Sequence, residues 1–551
     1  MPDPTTAAVT DVVDGDTLDV EFPDGETGTV RVLGIDTPET TDNVEAERRR
    51  EWEGIESIDY LGRWGSRASE FARERLAGAT VELVEDPNEP SRDQFDRLLR
   101  YVRYDPDGSD DSGPPGDGDD ADGSGGSDGP SEARDTVYNR LAVAEGFARV
   151  YGSGFARHDE YRAVEETARD ESRGLWARSD LPATPEIRDR PVERAFVPDP
   201  ATVRTASGTL ADGRAPVFAG EGATQTLAGD GVEYDGRLPL VGVDDDARVA
   251  VVGGPMVDEW YEQAEGFPTD TSGFGNFPLF TNLLASLSDR GGQLLVDGGH
   301  GQFDADYALS SEDMAYYLRY LEGQDIGHRQ VNTLADGMPD GRALVVTAPA
   351  AAYTDAELAA VESFRDAGGA VLLVGHAADG MPADARENLD AVAAALGSDL
   401  RLNGDAVTDE GSALNGDPAI PVTSAFDDSF DLFGAFTPER PAGPPLSVVR
   451  VESGADAGEP TSERVVVENA GDGPLDVSGW RIADAAGHEY RFPEGLTLPA
   501  GARAAVNTGS GGTAVELYWG RNSPVWNDAG DTVSVYDDGG SLVTEYAYDG
   551  E

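Results

Sequence analysis

The sequence predicts a multidomain chain: a β-rich module with helices first, an α/β parallel-sheet region second and a β-sandwich last. Three observations predict it. Short apolar runs near the amino terminus are interrupted by carboxylate clusters and followed by helical periodicity. Between about residues 247 and 435, continuous apolar strands alternate with helical stretches, as in a parallel sheet covered on both faces. From residue 447 onward, apolar and polar residues alternate in short runs separated by Gly, Pro, Asn and Asp turns. A length of 551 residues fits two to four domains.

The first run, Val9 to Phe22, is broken by Asp14, Gly15 and Asp16, and the second, Val30 to Ile35, stops at Asp36-Thr37-Pro38-Glu39. Both clusters fall where strands turn. DGD and DTPE are each ordinary turn punctuation when taken singly. Taken together they suit chemistry, because carboxylates facing a phosphate make sense only around a hard cation. Asp16 and Asp36, brought together, supply the oxygen ligands that Ca2+ or Mg2+ takes. Arg31 adds a planar fork for phosphate oxygens, and Glu39 is a candidate base. Helical spacing follows at Gly62 to Leu76, a strand at Thr80 to Glu85, and the segment RDQFDRLLRY at Arg92 to Tyr101. Residues 105–131 form a Gly, Ser, Asp and Pro tract that cannot bury a core and reads as a disordered insert. Asn139 to Val150 (NRLAVAEGFARV) and Glu165 to Trp176 (EETARDESRGLW) follow.

From about Ala8 to Trp176 these motifs resemble the staphylococcal nuclease (thermonuclease) family, down to the closing Gly-Leu-Trp. The resemblance implies a five-stranded OB-type barrel packed with helices over residues 1–180, a shape that recurs in nucleic-acid binding. It implies that Asn139 to Val150 and Glu165 to Trp176 are the two closing helices. It also implies that Asp16 and Asp36 ligate Ca2+ by side chain and Thr37 by its backbone carbonyl, with Asp14 behind them. Glu39 would position or deprotonate water, and Arg31 and Arg97 would clamp the phosphate. The chain departs from the family at Gln94 and Phe95, where a lysine and a tyrosine are usual, and at Gly152, where the family's tyrosine is displaced to Tyr151. The triple arginine Arg48, Arg49 and Arg50 reads as a solvated helical face with Glu-Arg pairs in preference to a basic lip beside the cleft.

The formal net charge is -65, with 106 acidic residues against 41 basic ones, and every basic residue is arginine. This is the surface expected of a halophile, and the family resemblance then implies a haloarchaeal nuclease. At about 1 M salt the Debye length falls to roughly 3 Å, so self-repulsion from a polyanionic substrate is screened. Counterion release also stops contributing to binding. Substrate capture is therefore expected to rest on the metal, the two arginines and stacking. The absence of cysteine excludes disulfides, thiolate zinc sites and thiol nucleophiles. No apolar run reaches the length of a membrane span, and MPDPTTAAVTDVV lacks the regions of a signal peptide. The expected compartment is cytoplasmic as written, or extracellular or cell-surface if the start is truncated.

Residues 181–246 show only weak alternation and read as linker. Within 247–435 the strands at 248–254, 293–299, 343–349 and 370–376, with the phrase DGGHGQF at Asp297 to Phe303, resemble the class I glutamine-amidotransferase-like α/β fold. They look closest to its non-catalytic branch, related to the DUF4350 and gliding-transport-associated domains. The missing cysteine rules out amidotransferase activity. Asp297, His300 and His376 lie at the carboxyl ends of expected strands, where open sheets bind ligands, and form a candidate pocket against the simpler reading of turn histidines. After a linker at 436–446, residues 447–551 resemble the lamin-tail domain, an immunoglobulin-like sandwich. Trp480 is expected in its core, and Trp519 and Trp526 in loops that contact a partner or surface tether.

The combined expectation is a Ca2+-dependent endonuclease acting on DNA and/or RNA, with later domains for localisation or ligand binding. The alternatives are a non-catalytic nucleic-acid-binding or surface scaffold, and an α/β ligand sensor with the nuclease as effector.

Overall fold

The computed structural model describes residues 4–43, 48–105, 136–303, 308–335, 337–377, 380–437, 446–452, 463–469, 475–493, 495–499, 502–510, 517–527, 530–537 and 542–549. The insert expected at 105–131 lies, apart from Asp105, outside them. The chain forms two compact units, Met1–Thr437 and Pro438–Glu551. No helix among the described residues is long and apolar enough to cross a membrane.

The first unit begins with a closed five-stranded barrel. Strands β1 (Thr5–Val12), β2 (Thr17–Glu21) and β3 (Thr27–Val32) form an antiparallel meander, and β4 is the short Ile35–Asp36. Helix α1 (Ile58–Leu76) leads to β5 (Thr80–Val84) and β6 (Leu98–Tyr104). β5 bridges β1 and β6, and a parallel pairing of β3 with β6, Arg31 opposite Leu99, closes the ring. Leu18, Val20, Val30, Val32, Val81, Leu83 and Val102 point inward on the two-residue period and are buried. α1 is capped by Ser57, whose hydroxyl accepts the Tyr60 N–H at 3.2 Å, and packs Phe71, Ala72 and Leu76 on the barrel core. β7 (Thr136–Val137) precedes α2 (Tyr138–Ala144), β8 (Arg149–Val150) and α3 (His158–Asp170). α2 is thus shorter than the sequence suggested, and α3 begins and ends earlier in the chain than the helix expected at Glu165 to Trp176. Gly146, at φ +67°, ends α2, so Arg149 and Val150 run as a strand antiparallel to β4.

The α/β region carries an eight-stranded sheet. His328–Val331, Leu294–Asp297, Ala343–Thr347, Ala370–Val374 and Val249–Val252 are parallel in that order, and Pro239–Asp244, Val217–Phe218 and Ala425–Phe426 extend the sheet antiparallel. Alternate residues enter two different cores: Leu294 and Val296 one, Leu295 the other. Both faces are covered. The region expected to be linker, 181–246, is instead part of this body. It gives two of the antiparallel strands, and a third at Val203–Thr205 pairs with Leu400–Leu402. Val197, Val203, Phe218 and Leu240 are buried. These strands are two to six residues long, too short for alternation to register, and their burial comes from distant partners.

Arginine ion pairs bind the barrel to the α/β region. Arg48 reaches Glu259 at 2.6 Å, Arg50 pairs with Glu265 and lies over Tyr316, and Arg329 reaches Glu166 at 2.9 Å. Arg48 and Arg50 therefore form neither a solvated face nor a lip. Only Arg49 is mostly exposed.

The second unit has two four-stranded sheets. One contains Leu446–Glu452, Arg464–Asn469 and Arg503–Asn507, and the other Arg481–Ala483, Gly530–Tyr536 and Leu542–Asp549. Val465 and Val467 from the first share a core with Ile482, Val533, Val535 and Trp480 from the second. Trp526 is buried in that core and Trp519 packs between it and Tyr490, with ring centroids at 5.9 and 6.0 Å. Burial of Trp526 removes it as the partner-contacting loop residue expected of it, whereas Trp519 is half-buried.

Candidate active site

The turn between β1 and β2 presents Asp14, Gly15 and Asp16. A side chain at Gly15 would meet Ala68 of α1 and Thr37 at 2.8 Å, so this turn can press against the helix and the β4 loop only as glycine. Asp14 accepts the Asp16 N–H at 3.1 Å and so fixes the turn. Asp16 is buried. Its Oδ2 accepts the backbone N–H of Thr37 at 2.7 Å and the Thr37 hydroxyl at 2.8 Å, and its Oδ1 lies 2.9 Å from Arg31. Arg31, from β3, also donates to the Ile35 carbonyl at 2.9 Å and to Asp36 Oδ1 at 2.8 Å. One guanidinium thus joins the two carboxylates that the sequence singled out.

The second Asp36 oxygen accepts from Arg149 Nε at 3.1 Å, a pairing set by the β4–β8 register, in which the two residues are partners. Arg149 also contacts Glu51 at 2.9 Å and makes a bidentate pair with Glu312 of the α/β region at 2.9 and 3.0 Å. Burial pushes the carboxyls of Asp16 and Asp36 up from the usual range, against the pull of Arg31 on both and of Arg149 on Asp36. Burial alone would lower the arginines, yet the surrounding carboxylates hold both above their ordinary value.

Glu39 is half-buried and accepts the Asn43 side-chain N–H at 2.7 Å. Among the described residues no three of His, Cys, Asp and Glu gather as a metal-binding group. Arg97 follows a tight turn in which Asp93 accepts its backbone N–H at 2.9 Å and its Nε at 2.7 Å. Arg97 and Arg31 line the same cleft, of about 360 Å³, with Phe95, Tyr151, Leu33 and Phe303.

Asp297 and His300 meet: His300 Nδ1 lies 2.9 Å from the carboxylate, and its ring stacks on Tyr353 at 3.8 Å. Burial lowers the His300 pKa, but the hydrogen bonds and negative charge of Asp297 and Glu357 together outweigh it and the net shift is upward. His376 does not join them. The strands carrying Asp297 and His376 are separated by Ala343–Thr347, and His376 faces Asp199 at 3.9 Å. Sequence reasoning missed Arg149, Glu312 and Phe303. For Arg149 the signal was Gly146, a helix stop inside a stretch read as helix. For the other two there was none, since their roles come from packing between regions.

Residues 29–178 match the family described as staphylococcal nuclease homologue, a span holding Arg31, Asp36, Thr37, Glu39 and Arg97 but starting after Asp14 and Asp16. The uncharacterized protein MJ1439 of Methanocaldococcus jannaschii is 31% identical over 170 residues, covering 30% of this chain and 70% of that protein. The chain belongs to the staphylococcal nuclease homologues. Residues 440–550 match the lamin tail domain, so this nuclease homologue is multidomain: a five-stranded barrel, an α/β region and a β-rich lamin tail.

Proposed function

We propose that this nuclease homologue is a Ca2+-dependent phosphodiesterase that hydrolyses nucleic acid in the barrel cleft. The observation that carries the reading is the convergence of Asp16 and Asp36, from separate turns, on Arg31 at the wall of a cleft shared with Arg97. The donors fit a hard cation in kind, since two carboxylates and a backbone carbonyl are oxygen ligands of the sort such an ion takes. Asp16, Asp36 and the Thr37 carbonyl would hold the ion, which when bound supplies Lewis-acid polarisation of a phosphoryl oxygen.

Arg31 and Arg97 bind the remaining phosphate oxygens and stabilise the charge that grows there as water attacks. The Nη groups of Arg97 make no hydrogen bond among the described residues, and its Nε is fixed by Asp93, so a free fork is aimed by one anchored atom. Glu39 takes the proton of the attacking water, with Asn43 orienting its carboxylate. The cysteine-free α/β region is non-catalytic. In molar KCl, single-stranded DNA is expected to be cut with Ca2+ and not with EDTA, and Glu39→Gln is expected to be inactive. Equal rates with and without the ion would remove the metal from the reaction.

A non-cutting nucleic-acid reader is favoured by one observation: protein donors occupy every oxygen of Asp16 and Asp36. Binding of the same DNA with no hydrolysis under either condition would select that reading.

A further inference from the structure

We infer that the α/β region builds one wall of the nucleic-acid cleft and that Phe303 is a specificity-determining residue: an unpaired base stacks on its ring, so the cleft selects single strands. The proposal deepens the nuclease reading and rests on it for the identity of the ligand.

Phe303 is half-buried and lines the cleft that Arg31 and Arg97 enter. Its ring meets Tyr151 edge-on, with centroids 5.6 Å apart and planes at 78°. From the barrel side Phe95 is 70% exposed, with the Arg97 guanidinium 5.4 Å from its centre. Two chain regions thus bring aromatic rings to one cleft, beside the arginines that would take the phosphate. Aromatic rings beside guanidinium groups are how single-strand sites hold bases without reading sequence.

The Phe303 wall is braced. Asp297 ties the loop before it by accepting from His300 and from Gln302 Nε2 at 3.0 Å, while the His300 N–H donates to Gln302 Oε1 at 2.8 Å. The facing barrel segment is bound to the same region: the Ser153 carbonyl accepts from Gln330 at 3.1 Å and Asn332 at 2.7 Å, and the Gly152 N–H donates to Glu312 at 2.8 Å. Asp297 and His300, suspected as ligand residues, therefore act as positioning residues for the loop. A chain of net charge -65 gains little from general attraction to a polyanion, which leaves stacking as a principal source of affinity. A base inside a duplex is already stacked and must leave its neighbours to enter.

The test uses the full chain carrying Glu39→Gln, with Ca2+ in molar KCl, and a thymidine octamer holding one 2-aminopurine. Binding is expected to quench the fluorophore, Phe303→Ala to raise Kd about tenfold, the scale of one lost base stack, and Phe303→Trp to restore it. The same fluorophore inside a blunt duplex is expected to bind at least tenfold more weakly. In the cutting protein, Phe303→Ala is expected to raise KM about tenfold with kcat within about twofold. Unchanged Kd and KM in Phe303→Ala, or equal affinity for the duplex, would overturn the proposal even if hydrolysis stands. Quenching that depends on Phe303, with no cleavage by the unmodified chain, would sustain it while the hydrolase reading fails.

Discussion

Replacing Arg149 with alanine tests whether the α/β region braces the carboxylate pair of the nuclease site. Arg149 is only 8% exposed and is paired with Asp36, Glu51 and Glu312, with four contacts between 2.9 and 3.1 Å. Its loss leaves Glu312 buried with one backbone donor, the Gly152 N–H, among its described hydrogen bonds. Removing one partner of a buried ion pair costs about 3–5 kcal/mol, most of it the stranded charge. Glu312→Gln in the same background removes that charge, so the double variant should recover about 1–3 kcal/mol as a coupling energy.

The assay is urea unfolding in molar KCl followed by tryptophan fluorescence, with Trp52 5.7 Å from the Arg149 guanidinium as a local reporter. The pH dependence gives a second check. Arg149 holds the Glu312 carboxyl below its ordinary value despite burial. A depressed carboxyl contributes stability above its unfolded value, and that contribution is lost as pH falls through the lower folded value. The gap between native chain and Arg149→Ala should therefore narrow in acid. A loss under about 1 kcal/mol, or additive single variants, would refute the brace.

Three other perturbations have definite outcomes. Burial, opposed by Arg149, lifts the Glu51 carboxyl from 4.5 to about 7. With the folded value raised, stability present below pH 4.5 should fall as pH rises to 7, by on the order of 3 kcal/mol, and Glu51→Gln should flatten that slope in pH-dependent melts. Arg97→Ala should cut kcat about a hundredfold or more while shifting stability by less than about 1 kcal/mol, since its side chain is 30% exposed and its pair with Asp93 is local; a large loss of stability would show it to be structural. Trp526→Ala should destabilise the lamin tail by about 3–5 kcal/mol, because the ring is 2% exposed, and a neutral result in unfolding of the isolated transition would return Trp526 to a contact role.

The barrel strands and the parallel strands of the α/β region were legible because their apolar periodicity is local. Val30 and Val32 alternate, and Leu294 to Val296 are continuous because each face of that sheet is covered. The carboxylate and arginine residues were legible as types in order, since turn chemistry fixes Asp14-Gly15-Asp16 and Asp36-Thr37-Pro38-Glu39 where strands end. Tertiary structure alone decided what those groups touch: Arg31 between Asp16 and Asp36, Arg149 on Asp36, Glu39 on Asn43. It also decided that 181–246 is sheet, that Arg48 and Arg50 join two regions, and that Phe303 faces the barrel cleft. Sequence records the period of a chain over a few residues. Partners more than a hundred positions apart, such as Arg149 and Glu312, are chosen by which surfaces close on each other and by the cost of burying a charge without its counter-ion.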